Sequence, residues 1–171
     1  THYVRVSSFF EPSAEVGVAV GGNYLGRTDA DDTKMQLIGI DGVAKWSGRG
    51  FHDLLIQGEA WQRSLEPKNG EKDISAGFYL YPQKGFSKSL FFGVRLDYFS
   101  VLSLKDARGE KIKNSEYAFV PTITYKSSEF ATFKFGYTHT VSNQDNKNDE
   151  IDRYFQIQST FILGAHPAHD F

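Results

Sequence analysis

DLLIQGEAWQR, residues 53–63, decides the fold. Leu54, Ile56, Gly58 and Ala60 fall on one side of an extended chain. Asp53, Leu55, Gln57, Glu59, Trp61 and Arg63 fall on the other. Successive side chains of a strand point to opposite faces, so this split is a strand with one apolar and one mixed polar face. A helix would need apolar residues at every third and fourth position, and the stretch does not supply them.

The same two-residue period extends in both directions. Upstream, Val4, Val6, Ser8 and Phe10 oppose Tyr3, Arg5, Ser7 and Phe9. After the turn EPSA (residues 11–14), Val16, Val18, Val20, Gly22 and Tyr24 oppose Glu15, Gly17, Ala19, Gly21 and Asn23. Next, Ile38, Ile40, Gly42, Ala44 and Trp46 oppose Leu37, Gly39, Asp41, Val43 and Lys45. Downstream, Ile74, Ala76, Phe78 and Leu80 oppose Ser75, Gly77, Tyr79 and Tyr81, and Leu90, Phe92, Val94, Leu96 and Tyr98 oppose Phe91, Gly93, Arg95 and Asp97. Three further segments alternate in the same way: 117–125, interrupted by Pro121; 132–138, with Lys134 on its polar side; and 154–163. Pro121 removes a backbone donor from the middle of a strand, which predicts a bulge or local kink there.

Composition agrees with an all-β chain. The 171 residues, about one domain by length, include 16 Gly and are 15% aromatic; the mean hydropathy is only -0.42. Aromatics favour strands, and glycines favour turns. There is no Cys, which excludes disulfides, cysteine-ligated zinc and thiol nucleophiles. A net charge of -2 offers no polybasic surface for nucleic acid. No apolar run is long enough for a membrane helix, and the opening THYVRV has neither the basic start nor the apolar stretch of a signal peptide.

The predicted architecture is an antiparallel transmembrane β-barrel of about eight or nine strands, occupying residues 1–171. Three observations point there. Strands of soluble domains usually run about 5–6 residues, whereas those crossing a bilayer as a barrel run about 9–11, and most of these segments reach that length. The connections alternate between short turns (PSA, SGRG, PQKGFS, KSSE) and longer polar loops (GRTDADDT, EPKNGEKD, KDARGEKIKN, SNQDNKNDE), the pattern of periplasmic turns and extracellular loops. Tyr24, Trp46, Tyr98, Tyr117 and Tyr125 sit near the ends of the apolar faces, where a barrel carries its interfacial aromatics. The opposite faces mix small residues with charge, as a barrel lumen does: Arg5, Glu15, Asp41, Lys45, Asp53, Glu59, Arg63, Arg95, Asp97 and Lys134 are the lumen-facing candidates. A soluble sandwich or a lipocalin-like binder is the remaining fold, its polar faces turned to water.

The chain ends YFQIQSTFIL, then GAHPAHDF to Phe171. An amphipathic last strand with a terminal aromatic resembles the C-terminal end of Gram-negative outer-membrane β-barrels, in particular the C-terminal part of porin-like and TonB-dependent receptor-like barrels. The resemblance implies a bacterial outer-membrane location, a lipid bilayer and the barrel-assembly machinery as partners, and Phe171 as the assembly signal. GAHPAHD departs from the pattern by separating the alternating strand from Phe171.

Bacterial barrels of one chain have an even number of strands. Nine segments therefore make this chain the C-terminal part of a larger barrel, unless the first or last is irregular and eight close a small one. The first case implies passage of small solutes or ions. The second implies an anchor, an adhesin or a partner of other envelope proteins. No cofactor is implied. His166 and His169, with Asp170 beside them, are the candidate metal ligands. Enzymatic activity is not expected: no GxSxG, HExxH or phosphate-loop pattern occurs, and the glycine-rich GVAVGGNYLG lies on a strand with no helix after it.

Overall fold

The computed structural model of the chain describes residues 1–48, 53–103, 114–144 and 149–162. They form nine strands: β1 (His2–Ser13), β2 (Val16–Thr28), β3 (Lys34–Trp46), β4 (Leu54–Glu66), β5 (Asp73–Gly85), β6 (Leu90–Val101), β7 (Asn114–Ser128), β8 (Ala131–Gln144) and β9 (Glu150–Phe161). Each pairs antiparallel with the next, so the sheet is one meander in the order β1 to β9. Among the described residues there is no helix, and none is long and apolar enough to cross a membrane, which says nothing of crossing by strands. Both end segments pair as strands, β1 with β2 and β9 with β8, so the described sheet counts nine. Among the described residues, neither meets another strand at its outer edge.

The strands are 12 to 15 residues long, longer than the apolar alternation alone marks out. At a rise of about 3.3 Å per residue they reach about 40–50 Å. The extra length comes from polar ends. β2 runs on to Thr28 and β3 begins at Lys34, so Gly26, Arg27 and Thr28 of GRTDADDT belong to the hairpin and residues 29–33 connect. A ladder of backbone hydrogen bonds needs no apolar side chains to continue. This weakens the expected sorting of connections by length. The ends of β1 and β2, β3 and β4, β5 and β6, and β7 and β8 that succeed one another lie at one end of the sheet, here the turn end; those of β2 and β3, β4 and β5, β6 and β7, and β8 and β9 lie at the other, the loop end. The turn-end connection 47–53 is longer than the loop-end connections 29–33 and 145–149.

Pro121 does not bulge the sheet. The β7–β8 ladder pauses between Phe119↔His139 and Thr122↔Gly136 and resumes in the same register. Pro121 also keeps its place opposite Val94 on β6. The β5–β6 ladder pauses likewise at Pro82, between Leu80↔Leu96 and Gln83↔Gly93. A missing N–H costs a ladder bond, but it does not require an extra residue. Register shifts occur instead near the turn end, between Phe10 and Ser13 and between Lys126 and Ser128.

Candidate functional site: the polar face

The register fixes which residues share a face. Ser7, Gly21, Asp41, Glu59, Tyr79, Asp97, Ala118, Thr140 and Asp152 form one cross-strand row. Every second residue from this row belongs to the polar face. Arg5, Lys45, Arg63, Arg95 and Lys134 therefore join Asp41, Glu59 and Asp97 on it. The apolar series seen in the sequence lie together on the opposite face.

The distribution of burial is inverted relative to a soluble sheet. Among the described residues the one buried hydrophobic side chain is Phe91, 4% exposed, and it lies on the polar face. Ser75, Thr122, Thr124 and Thr138, also on the polar face, are buried. Ile38, Ile40, Phe78, Leu80, Phe92, Leu96, Phe119, Ile123 and Phe135 on the other face are exposed. Two aromatic groups bound that exposed surface. Toward the loop end, Phe78, Tyr98 and Tyr117 make a ladder across β5, β6 and β7, with ring centroids 5.5 and 5.0 Å apart; Tyr24 lies at the same end of β2. Toward the turn end are Trp46, Tyr125, and Phe133 set edge-on to Phe161 at 5.9 Å.

The polar face carries three clusters of polar contacts. Arg5 donates two hydrogen bonds to Asp41, at 2.7 and 2.8 Å, reaching from β1 to β3. Gly21 on β2 makes this possible: a Cβ there would lie 2.8 Å from Arg5 Nη2 and 2.9 Å from Asp41 Oδ2. Further along, Gln57 Nε2 donates to Tyr79 Oη at 2.9 Å. The Arg95 guanidinium sits 4.3 Å from the centre of the Tyr79 ring and donates to both Asp97 oxygens, at 2.8 and 3.0 Å. Tyr81 crosses Gly93 to share a hydrogen bond of 3.1 Å with Thr122, and Gln83 donates to Tyr81 Oη at 2.9 Å. Lys134 Nζ lies 4.9 Å from the Tyr81 ring centre. Cations over aromatic faces and forked Arg–carboxylate pairs hold charge in place without neutralising the surface as a whole.

Of the lumen candidates, Arg5 and Asp41 are brought together, as are Arg95 and Asp97. Glu59 lies in the Asp41 row and close enough to act on Arg95. Arg63 pairs instead with Asp73 near the loop end, at 3.4 Å. Lys45 lies on the same face toward the turn end. Glu15 and Asp53 are placed at the turn-end rim rather than along the face. Glu15 is in the β1–β2 turn and accepts from Trp46 Nε1 at 3.1 Å. Asp53 precedes β4, where its backbone N–H donates to Trp46 O and its carbonyl accepts from Gly85. Both keep the phase of the polar face but sit where the chain turns. Phe171, His166 and His169 lie outside the described residues. Among the described residues, no group of three His, Asp or Glu side chains is arranged to hold a metal ion.

Sequence reasoning singled out charges and passed over uncharged side chains of the same face: Tyr79, Tyr81, Gln83, Thr122 and Thr138. The signal for them is phase, since each alternates in step with Asp97, Arg95 or Lys134. Thr122, Lys134 and Thr138 also line a cleft of about 520 Å³ over β6–β9, with Arg95, Asp97, Glu116, Gln156 and Gln158. Thr138 Oγ1 is buried there without a hydrogen-bond partner. The arrangement offers both signs of charge, amides and hydroxyls to a polar solute.

No family model matches this chain, no curated protein matches it, and no solved structure matches its fold.

Proposed function

We propose that this sheet is part of the wall of a β-barrel in a bacterial outer membrane, and that small polar solutes or ions pass along its polar face. The observation that carries the reading is the inversion of burial: large apolar side chains are exposed on one face, while Ser75, Thr122, Thr124 and Thr138 are buried on the other. In water such a face would be an apolar patch far larger than the few hundred Å² that soluble monomers tolerate. In a bilayer it is the lipid-facing surface. The strand lengths agree. A 13-residue strand such as β5 tilted by about 45° spans about 30 Å, the thickness of the hydrocarbon core. The two aromatic groups then mark the two interfaces. The partners of this reading are the lipid bilayer, the assembly machinery acting through Phe171, and other envelope proteins.

The test is to extract the native protein from membranes in detergent and reconstitute it into planar bilayers. Stepwise ion conductance is the expected result. Membrane insertion without conductance would make the wall a packed anchor, and a protein that leaves the membrane without detergent would end the reading.

A further inference from the structure

We infer that the cleft over β6–β9 holds, on its floor at Gly136, a binding subsite for a polyhydroxylated monocarboxylate, a solute of the sugar-acid class; the inference deepens the reading above and rests on it. Glycines elsewhere on the polar face lie beneath a side chain from a neighbouring strand. A Cβ at Gly21, Gly39, Gly77 or Gly93 would lie 2.6–2.9 Å from Arg5, Asn23, Trp61 or Tyr81 respectively. Among the described residues, Gly136 lies beneath none. The nearest atom to a Cβ there is Thr122 Cγ2, at 3.6 Å. The floor therefore has a hollow at Gly136, and the cleft above it, of about 520 Å³, has the size of a small-molecule site.

The groups around the hollow are polar and unengaged. Thr122 and Gln156 face Gly136 from β7 and β9, and Lys134 and Thr138 stand about 7 Å from it along β8. Thr138 is 3% exposed, and its Oγ1 has no hydrogen-bond partner. A buried hydroxyl in that state is destabilising until something pairs with it, and a ligand hydroxyl on this floor does so. The Gln156 and Gln158 side-chain amides line the same cleft and, among the described residues, bond to no other side chain. Amides and hydroxyls both donate and accept, which matches the successive hydroxyls of a sugar.

The charge of the solute follows from which charges are already taken. Arg95 and Asp97 hold each other in a fork. Glu116 accepts from Ser142 Oγ at 2.9 Å, and Ser142 lies six residues beyond Gly136, about 20 Å along the strand. Lys134 has the Tyr81 ring at 4.9 Å but, among the described residues, no carboxylate within ion-pair reach. One free ammonium beside hydroxyls and amides selects one negative charge on a hydroxylated body. An amino acid would need a free carboxylate near the hollow for its own ammonium, and both carboxylates of the cleft are engaged.

The test is calorimetric titration of the full native polypeptide in detergent with sodium gluconate, glucose and sodium acetate. Saturable gluconate binding, tighter than that of glucose or acetate, is the expected result. Gluconate binding that is absent, or no tighter than that of acetate, would overturn the inference. Lys134→Gln should weaken gluconate about tenfold or more, the loss of one charge-assisted hydrogen bond, and leave glucose unchanged. Gly136→Val fills the hollow and should abolish binding of both. Thr138→Val should weaken both while the protein unfolds at the same or a higher urea concentration, because an unpaired buried hydroxyl is removed; Thr138→Ser should keep native binding. Native gluconate affinity in folded Gly136→Val, or in Lys134→Gln, would put the ligand elsewhere and overturn the inference. Conductance in planar bilayers is recorded on the same preparation. Conductance without gluconate binding overturns the inference and leaves passage standing, whereas gluconate binding without conductance overturns passage and leaves the subsite.

Discussion

Outward residues of β6 provide a depth gauge. Leu90, Phe92, Val94, Leu96 and Tyr98 lie in line on the apolar face. Val94 is four residues from either end of the series, about 13 Å along the strand and about 10 Å in depth at a tilt of about 40°. If this face meets lipid, arginine should be costly at Val94 and cheap at Leu90 and Tyr98. Lipid-facing arginine costs about 2–4 kcal/mol at the midplane and about 0–1 kcal/mol near the interfaces. Arginine and alanine variants should be compared at each of the five positions, so that the packing lost with the native side chain cancels. The assay is equilibrium urea unfolding of the native protein in phospholipid vesicles. The expected result is a profile peaking at Val94 and its neighbours. A flat profile within about 0.5 kcal/mol, the behaviour of substitutions on a solvent-facing surface, would refute the reasoning.

Other consequences concern the polar face and its loops. Gly93→Ala would place a Cβ 2.6 Å from Tyr81 Oη, so we expect it to cost about 1–3 kcal/mol by overcrowding and to cost much less in a Tyr81→Ala background; equal costs in both, measured by the same unfolding assay, would show that the ring is not what the glycine accommodates. Lys134→Glu reverses a charge lining the cleft over β6–β9 and should move the reversal potential in a salt gradient toward cation preference, an unchanged potential placing Lys134 off the conducting path. Asp31, in the β2–β3 connection, accepts a hydrogen bond from the Thr33 N–H at 3.2 Å, which holds its carboxyl below the usual carboxylate range. Its folded form favours the ionised state, so this contribution to stability is present above the ordinary Asp pKa and is lost as pH falls through the depressed one. A carboxyl NMR titration should find that low midpoint, and Thr33→Pro should return it toward the ordinary value.

The fold was legible because one period governs nearly the whole chain. Leu54 to Ala60, and Leu90 to Tyr98, declare their faces without help. The strand ends were not legible. Gly26 to Thr28 continue a hairpin through backbone hydrogen bonds that leave no hydrophobic trace, so the polar loop between β2 and β3 reads longer than it is. Pro121 read as a bulge because a missing donor is visible in sequence, whereas the ability of a ladder to skip one bond and keep register is not. In the polar face, charge was visible and geometry was not. Arg5 and Asp41 stand 36 residues apart, and only the pairing of β1, β2 and β3 brings them together across Gly21. Arg63 found Asp73 rather than a carboxylate on its own alternating row, because β5 begins beside the end of β4. Glu15 and Asp53 share the phase of the lumen residues but sit where the chain turns, and phase ceases to predict direction there.

A spin-label scan of β6 from Leu90 to Tyr98, in the native protein in lipid vesicles, tests the central claim most directly. Each residue in turn carries the label, and collision with oxygen, which concentrates in the bilayer, is compared with collision with a water-soluble nickel chelate. The account predicts a strict two-residue period, with oxygen collisions highest at Phe92, Val94 and Leu96 and low at Phe91, Gly93 and Arg95. Nickel collisions highest at Phe92, Val94 and Leu96 would put the apolar face in water and contradict it.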